Sequence, residues 1–313
     1  MAPSTVVFGL LAVFVSRALA SCAYGTHLHP RAEEGAFEAP KFGYIGPLGP
    51  TNWQGLDAAN DLCATGSNQS PIDMVASSFT VVPGSELGLK IPDMEEGAEF
   101  ENLGTNVEVI AEGGTISVGD VEYTLQQFHF HLPSEHLDNG TSMAMEMHMV
   151  WQSEDEKIAV IGVYIDLDDG AAAAAAKSKS KTRKSRSHVA RAAKALENKS
   201  TTVKAATAST LLETILGSVD QIPTPGDVVT TEPLVMSELV ETLVAGSFQS
   251  YSGSLTTPPC SEGVSWFVST QSLSIKTATF LKARSVLGFN SRFPQNAPGE
   301  SNIISVALTS KGH

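Results

Sequence analysis

The chain has few of the residues that mark several common protein classes. Its 313 residues include only three cysteines, three tryptophans and 7% aromatics. Three cysteines cannot build a disulfide-dense scaffold, and the length excludes a small stapled fold. No run of eighteen apolar residues occurs, which excludes a hydropathy-defined spanning helix. Basic residues are also scarce, with 20 Lys plus Arg against 34 Asp plus Glu, for a net charge of −14. Binding to a phosphate backbone demands the opposite sign, so a general nucleic-acid role is excluded. What the chain does have is 42% hydrophobic residues, enough for a real core.

The charge is unevenly placed. Ten of the 20 basic residues fall between Lys177 and Lys204, where Glu197 is the one acid, so that window carries +9 and the remainder −23. The surrounding stretch, 171–208, holds thirteen alanines and no aromatic residue. It cannot form a core and reads as an insertion. Three readings stay open: a surface loop, a processing linker cut near Arg183-Lys184, or translated non-coding sequence. At the other end, the apolar run Val6 to Val15 followed by Ala18-Leu19-Ala20 reads as a secretory signal over 1–20, although no positive charge precedes it. Residues 21–41 read as a tail. The polar C-terminus, Leu308 to His313, argues against a lipid anchor. Sequons at Asn68, Asn139 and Asn198 are glycosylation candidates that fit a secreted protein. In an oxidising compartment two of Cys22, Cys63 and Cys260 pair and one is left over. Cys22 abuts the cleavage site, so Cys63 and Cys260 are the expected pair; three buried thiols are the alternative.

From residue 42 onward the pattern is one mainly β domain, 42–309. Gly- and Pro-rich loops come first. Short alternating or β-branched segments follow at Val107–Ala111, Thr115–Val118, Tyr123–His131, Met143–Trp151, Ile158–Ile165 and Val264–Ser269. Helical pattern appears chiefly at Leu211–Val219 and Ser274–Val286, with a thin apolar stripe of Val189, Ala193 and Leu196 that could make Ser187–Asn198 a helix within the insertion. In a strand, period two puts Met143, Met145, Met147 and Met149 on one face and Ala144, Glu146, His148 and Val150 on the other.

The same period puts Gln127, His129 and His131 on one face of their strand. If the strand carrying His148 pairs with it antiparallel, three imidazoles share a surface. Three neutral nitrogens with an open fourth position suit a catalytic Zn²⁺, whereas a structural site wants four ligands. Such histidines need an acceptor on the second ring nitrogen. Gln127 and Glu146 each stand two residues from a histidine on its own face.

These residues carry a resemblance. Gln127-Phe-His-Phe-His131, Ser134-Glu-His136, Glu146-Met-His-Met-Val150 and Ser254-Leu-Thr-Thr-Pro-Pro-Cys260, with Gly43-Tyr44, Asn52-Trp53, Gln69-Ser-Pro-Ile-Asp73 and Asn290-Ser-Arg292, resemble an α-class carbonic anhydrase of the secreted, eukaryotic microbial type. The resemblance implies a twisted, mostly antiparallel central sheet with short peripheral helices and one zinc ion at the base of a cone-shaped cleft. It implies reversible hydration of CO₂ to bicarbonate and a proton by attack of zinc-bound hydroxide, with anions and sulfonamides as inhibitors. His129, His131 and His148 would be the ligands. Thr256 would accept a hydrogen bond from the nucleophile and donate to Glu135. Asn290 would hold His131 through its backbone carbonyl. Val150, Val160, Leu255, Val264 and Trp266 match the apolar CO₂ pocket, for which ordinary core packing is the alternative reading. Thr257 and Tyr44 match residues that order water, and Tyr251 and Arg292 match structural positions. The Cys63–Cys260 pairing is also the one that secreted members carry.

One departure stands out. Where fast members place a proton-relaying histidine after Asn-x-Gly, this chain has Thr105, in Asn102-Leu-Gly-Thr105. A hydroxyl cannot store a proton near neutral pH, so proton export is expected to be slow. His27 and His29 are candidate substitutes, and His136 reads as a buried structural partner. His188 and His313 have no assigned role. Two other functions compete: an inactive carbonic-anhydrase-like binding module, and polyanion binding through the 177–204 patch. All three zinc histidines, Thr256 and Glu135 are present, which disfavours the first.

Overall fold

The computed structural model describes residues 24–28, 37, 39–75, 79–111, 113–168 and 207–309. The expected signal (1–20), Cys22, His29, His188, Asn198, His313 and all but the last two residues of the 171–208 insertion lie outside the described residues.

Thirteen strands occur among the described residues. They are β1 (Asp73–Met74), β2 (Thr80–Pro83), β3 (Glu99–Asn102), β4 (Val107–Ile110), β5 (Thr115–Val118), β6 (Val121–His131), β7 (Leu137–Asp138), β8 (Met145–Ser153), β9 (Ile158–Asp168), β10 (Val228–Thr230), β11 (Ser247–Ser254), β12 (Glu262–Ser269) and β13 (Leu273–Lys276). The α-helices are α1 (Trp53–Leu56), α2 (Leu62–Thr65), α3 (Thr210–Gly217), α4 (Met236–Val244), α5 (Thr277–Leu287) and α6 (Ile303–Thr309). Eleven strands form one sheet, ordered β10-β3-β4-β6-β8-β9-β12-β11-β2, with β5 beside β6 and β13 beside β9. Its pairings are antiparallel except where β12 and β13 run parallel to β9. The mainly β, mostly antiparallel architecture expected from the sequence is the one the chain adopts.

The central strands β6, β8 and β9 are buried on both faces, and alternation sorts their side chains. Met145, Met147, Met149 and Trp151 of β8 join Ile161, Val163 and Ile165 of β9 in the main core. Leu211, Leu212, Ile215 and Leu216 of α3 and Met236, Leu239 and Leu243 of α4 cover that face. The opposite face carries Glu146, His148 and Val150 of β8, Val160 and Tyr164 of β9, and Trp266 and Val268 of β12.

β6 would break this sorting without an extra residue. Tyr123 and Leu125 point into the main core, and so do Phe128 and Phe130, although their parity differs. The register with β8 shifts between Leu125 and Gln127, leaving Gln126 as the extra residue of a bulge. Gln126 turns outward and donates to the Thr124 carbonyl and hydroxyl. Beyond the bulge, Gln127, His129 and His131 face away from the core, beside Glu146 and His148.

Three expectations are corrected. Met143 does not share the face of Met145, Met147 and Met149: β8 begins only at Met145, and Met143 packs on the opposite cluster with Val150 and Val160. Helical pattern from Ser274 begins too early: Leu273–Lys276 is a strand, held parallel to Ile165–Asp168, and the helix starts at Thr277. Part of the expected tail is packed. Tyr24 and Thr26 are buried, and Leu28 packs on the cluster containing Ile158 and Val160.

Candidate metal centre

The register of β6 against β8 sets His129 opposite His148 and His131 opposite Glu146. The three imidazole rings, of His129, His131 and His148, lie 4.5 to 5.4 Å apart by centroid and are fully buried. One nitrogen of each falls within 4.8 Å of the others. Hydrogen bonds decide which nitrogen. His129 Nδ1 is 2.7 Å from Gln127 Oε1, and His131 Nδ1 is 2.8 Å from the Asn290 carbonyl. Nε2 would therefore be the coordinating atom in both. His148 is reversed: Nε2 is 2.9 Å from Glu146 Oε1, while buried Nδ1 has no hydrogen-bond partner in the protein. Two Nε2 atoms and one Nδ1 atom thus suit a borderline-soft ion such as Zn²⁺. His136, Glu146 and His148 also lie close together, but both His136 nitrogens are already hydrogen-bonded, to Glu146 and Tyr251. That second cluster is a hydrogen-bonded support.

Electrostatics favour neutral ligands. Burial, then the neighbouring imidazoles His131 and His148, hold His129 well below its ordinary pKa. Burial and His148 push His131 down to about 3. Burial lowers His148 against the pull of Glu146. For Glu146, burial alone would raise the carboxyl, but His136 and His148 hold it well below the carboxylate range. Gly162 leaves room for that carboxylate, since a Cβ there would stand 2.9 Å from Glu146 Oε1.

Glu135 accepts from Arg292 N at 2.7 Å and from the Thr256 side chain. Burial pushes its carboxyl well above the usual range, against those two donors. It sits 3.5 Å from His131 Nδ1 and 3.9 Å from His148 Nδ1, so a cation among the imidazoles would favour its ionised form. Thr256 and Thr257 lie in the hairpin loop between β11 and β12, closed by Leu255 N to the Ser261 carbonyl and Cys260 N to the Thr257 carbonyl. Cys260 is bonded to Cys63 of α2, with Cα atoms 5.1 Å apart, which ties that loop to the N-terminal lobe.

Val150, Val160, Leu255, Val264 and Trp266 form one apolar cluster beside the imidazoles, with the Trp266 ring 4.9 Å from His148. Thr105 reaches the centre through Asn290, whose Nδ2 donates to its carbonyl. Tyr44 packs edge-on against Trp53, and the Arg292 guanidinium lies over Trp53. His27 is not brought to this group: it bonds Gln152, four residues along β8 from His148 and about 13 Å away by strand rise.

Sequence reasoning missed Glu108, Asn106 and Ser70. Glu108 is fully buried and stands opposite His129 on β4. A charged residue between Val107 and Val109 was the available signal. Asn106 is buried and caps β6 by accepting from Phe130 N. Ser70, present above only as part of Gln69-Ser-Pro-Ile-Asp73, bonds Tyr251 and Ser254, 181 and 184 residues away, so no local pattern announces its partners.

The family pattern of eukaryotic-type carbonic anhydrases matches residues 48–302. A carbonic anhydrase of Neisseria gonorrhoeae is 30% identical over 253 residues, covering 80% of this chain and 77% of that one. Among solved structures, the fungal α-carbonic anhydrase of Aspergillus oryzae is 32% identical with a TM-score of 0.72, covering 86% of this chain and 98% of its own. The Thermovibrio ammonificans α-carbonic anhydrase, solved with the inhibitor sulfanilamide, is 26% identical with a TM-score of 0.63 over 86% and 99% of the two chains. By sequence, fold and the gathered histidines, the chain belongs to the eukaryotic-type, α-class carbonic anhydrase family and shares its enzymatic activity, EC 4.2.1.1.

Proposed function

We propose that this chain hydrates CO₂ reversibly at one zinc ion held by His129 Nε2, His131 Nε2 and His148 Nδ1, with slow export of the product proton. The observation that carries the reading is the buried His148 Nδ1, which has no hydrogen-bond partner and lies beside two imidazoles whose Nδ1 atoms are engaged. Zinc supplies a Lewis acid that brings the pKa of bound water to about 7, a figure that comes from carbonic anhydrase itself. Gln127, Glu146 and the Asn290 carbonyl fix the ligand rings. The Thr256 hydroxyl donates to Glu135, so its oxygen can only accept, and it selects and orients a protonated nucleophile. Val150, Val160, Leu255, Val264 and Trp266 exclude water and accommodate a small non-polar substrate. Thr257 and Tyr44 order the water nearby.

Thr105 has no group that titrates near pH 7. Hydration at fixed pH should therefore rise with added imidazole and approach saturation, and Thr105→His should raise the rate in dilute buffer. A high rate in dilute buffer that ignores imidazole would overturn the slow-export reading. Zinc content near one per chain, with turnover blocked by a sulfonamide, supports catalysis; stoichiometric zinc without turnover favours the binding module. Secretion after cleavage at residue 20, with 42–309 as the catalytic domain and 171–208 as its insertion, completes the reading. Intact-mass analysis of secreted protein tests it.

A further inference from the structure

Behind His148 lies a chain of buried polar groups whose hydrogen positions can be deduced one from the next. With Nδ1 kept for the metal, Nε2 of His148 carries a hydrogen and donates to Glu146 Oε1. The backbone N–H groups of Glu135 and His136 can only donate, and both reach Glu146 Oε2, at 2.9 and 2.8 Å. An ionised carboxylate receiving three donors takes a fourth, so His136 Nδ1, 2.7 Å from Oε1, donates too. With its hydrogen on Nδ1, the His136 ring can offer Nε2 as an acceptor, and in that arrangement the Tyr251 hydroxyl, 2.7 Å away, donates to it. Tyr251 oxygen accepts in turn from Ser70 Oγ, at 2.8 Å. Ser70 Oγ accepts from Ser254 N at 3.0 Å, and Ser70 N donates to Ser254 Oγ at 2.9 Å. Ser254 ends β11, two residues before Thr256. The chain therefore joins a metal-ligand histidine to the loop that carries the orienting hydroxyl.

The fold makes space for this circuit. A Cβ on Gly253 would overlap Ser70 Oγ and come 2.6 Å from Tyr251 Cε2. Tyr251 is held in place by stacking on Trp266, with ring planes 11° apart.

We propose that Ser70 and Tyr251 are positioning residues of the metal centre: their hydroxyls fix, through His136 and Glu146, the tautomer and orientation of His148, and the same Ser70 hydroxyl ties that ligand to the Thr256 loop. Without the Tyr251 donor, His136 Nε2 can take the hydrogen itself. Nδ1 then turns a lone pair on Glu146 Oε1, and the carboxylate that orients His148 loses a partner. This rests on zinc being held as described above.

The test is zinc affinity. Metal-free protein, with its fold checked by circular dichroism, is titrated with zinc against a chromophoric chelator. The full chain is compared with Tyr251→Phe, Ser70→Ala and the double variant. Each single change is expected to weaken zinc by about tenfold, at the low end for partners of ligand histidines. The double variant is expected to match the weaker single variant, because both cut one chain. An unchanged Kd in Tyr251→Phe, with only the melting temperature of the metal-free protein lowered, overturns the proposal, as do independent, multiplying effects. Should Ser70→Ala not fold, Tyr251→Phe, which removes a single oxygen, decides alone. Failure of the unaltered chain to bind zinc would instead overturn the zinc reading itself.

Discussion

His129, His131 and His148 are held neutral by their surroundings, and that has a measurable consequence before any metal binds. An unfolded imidazole titrates near 6.5. In the folded chain all three are depressed, by burial first, with His131 near 3. Below about pH 6.5 the unfolded chain takes up protons that the folded chain refuses, so stability falls as pH falls. Glu135 acts in the opposite sense, since its raised carboxyl makes the folded chain hold one extra proton above the usual carboxylate pKa. Three imidazoles stand against one carboxyl, so the imidazoles set the sign. The metal-free protein should lose stability as pH falls from 7 to 5, read from urea midpoints across that range. A flat profile would show that the imidazoles titrate normally. At this scale the sequence was informative about which residues gather, because a spacing of two in a strand fixes a common face. It was silent on which ring nitrogen faces the metal. For His131 that depends on the carbonyl of Asn290, 159 residues away.

At the scale of elements, β6 shows how one residue aims a site. Tyr123 and Leu125 share the core with Phe128 and Phe130 because Gln126 bulges out of register. Deleting Gln126 would restore a regular strand and force a choice between burying Gln127, His129 and His131 in the core or exposing Tyr123 and Leu125. Loss of stoichiometric zinc binding, with a lower melting temperature, is the expected result. The alternation of β8 was plain in Met145, Met147 and Met149, and the bulge was not, because Gln126 and Gln127 are both polar. The strand Leu273–Lys276 escaped notice for another reason. It is four residues long and runs directly into α5, and its identity comes from pairing with β9. Local environment also separates the two described sequons. Asn139 and Thr141 are exposed at a turn with φ of 48° at Asn139. Ser70, in contrast, is fully buried with its hydroxyl bonded on both sides. Peptide mapping of secreted protein should find glycan on Asn139 and none on Asn68.

At the scale of the whole molecule, the described residues flanking 169–206 are anchored on one strand. Asp168 is paired with Lys276 of β13, and Ser209 N donates to the Ser274 carbonyl of the same strand. The intervening segment thus leaves and re-enters the domain at neighbouring points, whatever its own conformation. The Cys63–Cys260 bond spans 197 residues and includes that segment. Replacing both cysteines by alanine should cost about 2 to 5 kcal/mol, measured by denaturant unfolding under oxidising conditions. The placement of this bond also sets what a cut at the basic stretch would produce. The three ligand histidines and Glu135 lie before the stretch and Thr256 after it. A nicked molecule would travel as one species on a non-reducing gel and as two after reduction. It would be an enzyme assembled from two polypeptides of one gene, one holding the metal and the other the hydroxyl that aims its nucleophile.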